Sequence, residues 1–219
     1  MKKVLIFQFV PGAGGKFIIN TLAYSGQVAI SDSRIAHNFL KNQNYEYLNK
    51  VLTETVPPKN EGKGEWFQRE LGCWQLWGAE IQSVRDGKTI DQKILKSNEE
   101  LVNNNLWLPV IAHCSNSYNN LINYFCNDQI FTVYVKPTAE FLDCAIRKKW
   151  SGKDDCLDLN VLTVIERDLS KARHDFIVEN WDPRLGLNQI TELAEQLKIN
   201  LDLSLAKQYT DRYIDFHLN

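Results

Sequence analysis

The chain alternates between short unbroken apolar runs and longer stretches in which apolar residues recur every third or fourth position. The first run is residues 3–9 (KVLIFQF). It is rich in β-branched and aromatic residues and too short for a helix, which predicts a strand buried on both faces of a parallel sheet. Residues 106–112 (LWLPVIA), 130–135 (IFTVYV) and 176–178 (FIV) predict three further strands. Between them the period changes. Phe17, Ile18, Leu22 and Ala23 lie at helical spacing from a start near Gly14. Helices are also predicted over 34–53, 63–83, 116–126, from Pro137 to about Trp150, and over 157–170, 184–198 and 203–216. Strands alternating with helices predict an α/β domain of three layers, a mostly parallel sheet covered on both faces. No linker divides the chain, so residues 1–219 are read as one domain. The helical stretch of about 31–105 is an insertion, placed as a cap over a site.

The break between the first strand and the first helix is Pro11-Gly12-Ala13-Gly14-Gly15-Lys16. Three glycines after a buried strand allow the backbone to approach an anion. The helix N-terminus beyond them offers N–H groups and the positive end of its dipole. Lys16 adds a point charge. The loop departs from the Walker pattern G-x-x-x-x-G-K-[ST]. Gly15 and Lys16 match, but Val10 stands at the first glycine and Phe17 at the Ser/Thr that holds Mg²⁺. It departs from the Rossmann pattern as well, with Phe17 at the third glycine. The loop is therefore read as a phosphate cradle (Pro11, Gly12, Ala13, Gly14, Gly15, Lys16 and the backbone of Phe17) that lacks the usual metal hydroxyl.

Composition narrows the partners. The formal net charge is −2, against the strongly basic balance of proteins that bind nucleic acid in bulk, so no nucleic-acid partner is expected. None of the five cysteines forms a C-x-x-C pair, which argues against a structural metal site and for free thiols in a reducing compartment. No apolar run reaches the length of a membrane span. The expectation is a cytoplasmic protein that takes a nucleotide and a small molecule.

Two further segments join the loop. Val110-Ile111-Ala112-His113 is a strand ending in histidine. Val133-Tyr134-Val135-Lys136-Pro137 is a strand running into Phe141, Cys144 and Arg147-Lys148-Lys149. Their order and spacing resemble the PAPS-dependent sulfotransferases, a P-loop-NTPase-like fold. In that family a P-K-x-G-T-T loop binds the 5′-phosphosulfate, a strand-end K-T-H supplies the catalytic histidine, and an R-x-P strand end with a later serine holds the 3′-phosphate. Carried onto this chain, the resemblance implies Pro11 and Gly14 in the loop and His113 as catalytic base. It places Lys136 at the 3′-phosphate arginine and Cys144 at the serine. The chain differs at the family's loop lysine (Gly12 here), at the loop threonines (Gly15 and Lys16) and at the residues before the histidine (Ile111 and Ala112). The resemblance covers the sheet core and leaves residues 30–105 unmatched.

What it implies is metal-independent transfer of a sulfuryl group from PAPS to a hydroxyl or amine, with PAP as product, His113 as general base and Lys16 stabilising developing charge. No metal ligand is expected. Acceptor contacts are sought in the cap at His37, Trp66, Arg69 and Trp74. A surface or capping role for His37, core packing for the tryptophans and a solvated helix face for Arg69 are the alternatives. Two other functions remain open. One is a nucleotide or small-molecule kinase with a degenerate loop, which needs a strand-end carboxylate for Mg²⁺. The other is a nucleotide-binding protein without turnover.

Overall fold

The N-terminal apolar run forms the strand β1, Lys3–Gln8, and Gly15–Ala23 forms the helix α1. The structure is a computed structural model that describes residues 1–10, 13–29, 105–143 and 159–217. Along the described chain follow β2 (Trp107–Ala112), α2 (Ser115–Tyr124), β3 (Gln129–Pro137), α3 (Leu159–Leu169) and β4 (Phe176–Trp181). A 3₁₀ turn at Pro183–Leu185 leads to α4 (Asn188–Gln196) and α5 (Leu203–His217). The predicted helices over 34–53 and 63–83 lie outside the described residues.

The four strands make one parallel sheet in the order β2-β1-β3-β4. β1 is central. Gln8 at its carboxyl end is level with Ala112 of β2 and with Tyr134 of β3. Residues 27–29 extend the sheet beyond β2, where Trp107 N–H donates to Gln27 O and Ala29 N–H to Trp107 O, each at 2.8 Å.

The unbroken apolar character of β1 follows from burial on both sides. Leu5 and Phe7 pack with Phe17, Ile18 and Leu22 of α1, Ile190 and Leu193 of α4, and Tyr209 of α5. Val4 and Ile6 pack with Leu108, Val110 and Ala112 of β2, and with Leu121 and Phe125 in and after α2. Each fully buried side chain of this size contributes about 1.5–3 kcal/mol of transfer free energy. Helices thus cover both faces, and the fold is α/β with a parallel sheet.

Among the boundaries that differ from the sequence reading, two lie at the carboxyl edge of the sheet. Pro137 does not open the helix that follows β3. It stays in the strand, beside Trp181 of β4, at a register irregularity. Proline has no N–H to lose from a ladder, so it is tolerated at such a place. Thr138 caps the helix over 139–143 instead, its Oγ1 accepting the Phe141 N–H at 3.1 Å. β4 runs past Val178 to Trp181, although Glu179 and Asn180 end the apolar run. The sheet pairing at Pro137–Trp181 holds the strand there, with Asn180 in the left-handed region at φ 49°.

Just past β4, the buried Asp182 accepts the backbone N–H of Arg184 at 2.9 Å and its Nε–H at 2.9 and 3.0 Å. Burial alone would raise the carboxyl pKa, but the Arg184 hydrogen bonds and charge outweigh it and hold the group below its ordinary value. A lowered folded-state pKa contributes stability that is present above the unfolded pKa and lost as pH falls through the folded one. Asp182→Asn is expected to destabilise by about 1–3 kcal/mol at neutral pH. Denaturant melts should show the gap from wild type shrinking as pH falls below 4. A pH-independent gap would mean that the carboxylate charge is immaterial.

Candidate functional site

The chain leaves β1 for α1 on one face and leaves the adjacent β2 for α2 on the other. Neighbouring strands whose helices diverge in this way open a crevice at their carboxyl ends, where ligands of α/β sheets bind. The described part of the glycine loop, Ala13 to Gly15, follows β1 at this edge. Ala13 N–H turns back to Val10 O at 3.0 Å, and Gly14 takes the left-handed conformation at φ 73°. That φ is strained for residues with a Cβ and free for glycine. Gly14 is the N-cap of α1 and has no side chain to accept the first N–H groups, and the first turn carries no acid. The start of α1 therefore presents donors and the positive end of the helix dipole with no counter-charge from its own cap or first turn. Gly15 is required for another reason. A Cβ there would lie 2.2 Å from Cδ1 and Cε1 of Phe9.

His113 follows β2 and is tied to the start of the loop. Its Nδ1 lies 2.8 Å from the Phe9 carbonyl oxygen, and the two rings meet edge to face with centroids 4.8 Å apart. A carbonyl only accepts, so Nδ1 carries the hydrogen. In the neutral ring the basic nitrogen is then Nε2. Beyond His113, Asp168 of α3 caps α2. Its Oδ2 accepts the Ser115 N–H at 3.3 Å and also the Ser115 hydroxyl. Chiefly that hydroxyl bond lowers the Asp168 carboxyl pKa. The turn carrying His113 is thus fixed at both ends.

Phe17 lies in the core, 2% exposed, with its ring 5.2 Å from Tyr209 and 4.5 Å from Tyr213. The position that holds the metal hydroxyl in a Walker loop is a packing position here and offers no oxygen ligand. Lys136 shares the carboxyl edge with His113, but β1 stands between their strands, a backbone separation of about 10 Å. Its half-exposed ammonium lies 3.4 Å from Glu179 Oε2. Asp182, the carboxylate nearest a strand end on β4, is held by Arg184. Ala13 is buried. Pro11, Gly12, the Lys16 side chain, Cys144, His37, Trp66, Arg69 and Trp74 lie outside the described residues.

Two residues were not read as functional in the sequence. Gln8 is fully buried at the end of the central strand, and neither amide atom has a hydrogen-bond partner. Its one sign in the sequence is a lone polar residue in an apolar strand, just before the loop. Trp181 is buried with its Nε1 unpartnered. Nothing local marks it, because its neighbour Gly14 comes from the other end of the sequence. His174, by contrast, is structural. It stacks on Tyr134 at 4.9 Å with Nε2 3.2 Å from Leu169 O, and burial lowers its pKa.

No family model and no curated relative matches the chain. Among solved structures it is similar to the crystal structure of an unliganded sugar kinase from Janibacter sp. HTCC2649. The two are 11% identical over 91% of this chain and 96% of that one, with a TM-score of 0.44. The fold assignment stands on the strand pairing above, and the site stands on its own residues. Among the described residues no helix is long and apolar enough to cross a membrane.

Proposed function

We propose that the chain is a PAPS-dependent sulfotransferase acting on a hydroxyl or amine of a small molecule. The observation that carries this reading is the uncapped start of α1 behind a left-handed Gly14, beside a histidine whose Nδ1 is fixed on the Phe9 carbonyl. The donor set suits an oxyanion, and the oriented histidine suits proton removal. PAPS, when bound, supplies the sulfuryl group, and PAP is left. The α1 amides and Lys16 hold the phosphate end and stabilise charge that develops there. Lys136 and Cys144 are assigned to the 3′-phosphate. His113 Nε2 takes the acceptor proton as the acceptor heteroatom bonds to sulfur. His37, Trp66, Arg69 and Trp74 are assigned to the acceptor side. Phe17 in the core disfavours the Mg²⁺-dependent kinase.

A nucleotide-binding protein without turnover is the second reading. The observation in its favour is the pairing of Lys136 with Glu179, which engages the charge assigned to the 3′-phosphate. Thermal unfolding with added ligand tests both. PAP without magnesium is expected to raise the melting temperature, by linkage worth about 2.7 kcal/mol at a hundredfold excess over Kd. Stabilisation by Mg-ATP and not by PAP would overturn the sulfotransferase in favour of a kinase. Stabilisation by PAP with no sulfate transfer to a panel of alcohols and amines would leave the second reading standing.

A further inference from the structure

Trp181 ends β4 and is 2% exposed. Its ring is wedged against Phe17, centroids 5.7 Å apart, and its backbone oxygen accepts the Thr138 N–H at 2.9 Å. The indole therefore has a fixed place. Its Nε1 is buried without a hydrogen-bond partner. An indole N–H can only donate, and a donor withdrawn from water without an acceptor is costly, so native structures rarely leave one.

The place of that nitrogen is marked by Gly14. The atom nearest to where a Gly14 Cβ would stand is Trp181 Nε1, at 3.0 Å, followed by Cε1 and Cζ of Phe141 at 3.2 Å. The nitrogen edge of the indole thus abuts the residue that opens α1. The Gly14 carbonyl is already engaged by the Ile18 N–H at 3.3 Å. Two independent features meet at one place: a helix start whose glycine cap supplies no side-chain acceptor, and a buried side-chain donor without an acceptor. One anionic oxygen would satisfy both.

We propose that the Trp181 indole N–H is a side-chain donor of the anion site at the start of α1, and that the ligand group there is a tetrahedral oxyanion. Glycine at position 14 is then needed for space as well as for its φ, because a methyl group would stand against the donor. This rests on the proposed nucleotide reading only for which oxyanion is bound.

The test is titration of ¹⁵N-labelled protein with inorganic phosphate and, separately, with PAP. The Trp181 indole N–H signal, assigned through the backbone, should move downfield with either ligand. Trp181→Phe keeps an aromatic ring and removes the donor. It should weaken binding on the order of tenfold, with its folded state checked by thermal unfolding. If phosphate moves the signal but PAP does not bind, the oxyanion donor stands and the PAPS reading falls. If PAP binds while the signal stays in place, or neither anion binds, the donor assignment is overturned. The signal is read in the wild-type protein, so the outcome holds even if the variant fails to fold.

Discussion

His113→Ala is expected to lower turnover by about 10²–10⁴, the range for loss of a positioned general base, while PAP affinity stays within a few-fold of wild type. The prediction has to separate two roles, because His113 also ties the turn after β2 to the loop through the Phe9 carbonyl. Alanine removes both. Asparagine removes the base and the ring contact with Phe9 but keeps the tie to the carbonyl, since its side-chain NH₂ group can donate there while an amide does not take up a proton near neutral pH. If His113 is the base, Ala and Asn variants lose turnover alike, and Asn retains more stability. If it is a positioning residue, Asn restores much of the turnover that Ala loses. Turnover of the Asn variant close to wild type would remove proton transfer from the role of His113. Sulfate transfer and PAP affinity must both be measured, because displacement of the loop would weaken binding as well.

The parts of the fold legible in the sequence are those set by burial along one element. β1 reads as a strand because Val4, Leu5, Ile6 and Phe7 have no solvent-facing side to mark with a polar residue. The glycines of the loop are legible because their backbone demands are local. What crosses between elements was not legible. That Pro137 stays in β3 depends on Trp181 alongside it. The length of β4 is set by the same pairing and not by its own apolar run. Lys136 shows in the sequence as a strand-end cation, but its partner Glu179 belongs to the next strand. Phe17 was legible as a missing hydroxyl, and the aromatic packing that occupies its place was not, because Tyr209 and Tyr213 come from the last helix. Asp182 closes a gap in the same way. The strands over 106–112 and 130–135 end in histidine and lysine where a Mg²⁺ carboxylate would stand, and the structure places a carboxylate after β4, engaged by Arg184.

Gly15→Ala is expected to destabilise the protein by about 1–3 kcal/mol, the usual cost of forcing a methyl group into filled space. The sign is diagnostic. Gly15 is the first residue of α1, and in an exposed helix the same substitution stabilises by roughly 0.5–1 kcal/mol. The cost comes from Phe9, whose ring carbons would stand 2.2 Å from the new Cβ, against a normal contact of about 3.5–4.0 Å. Phe9 cannot swing away freely. It is 3% exposed and packed edge to face on His113. One of two things must give. If the ring moves, the His113 imidazole loses its support. If α1 lifts instead, its first N–H groups leave the proposed anion site. Either route couples one methyl group to loss of PAP binding or of turnover. A double-mutant cycle with Phe9→Ala separates this from a general need for glycine. With the ring removed there is room for the methyl group, so Gly15→Ala should become neutral or stabilising in that background. An equal cost in both backgrounds, measured by denaturant unfolding, would mean that the close approach to Phe9 is not what requires glycine. In that case the link between the loop and His113 would have to run through the hydrogen bond from its Nδ1 to the Phe9 carbonyl.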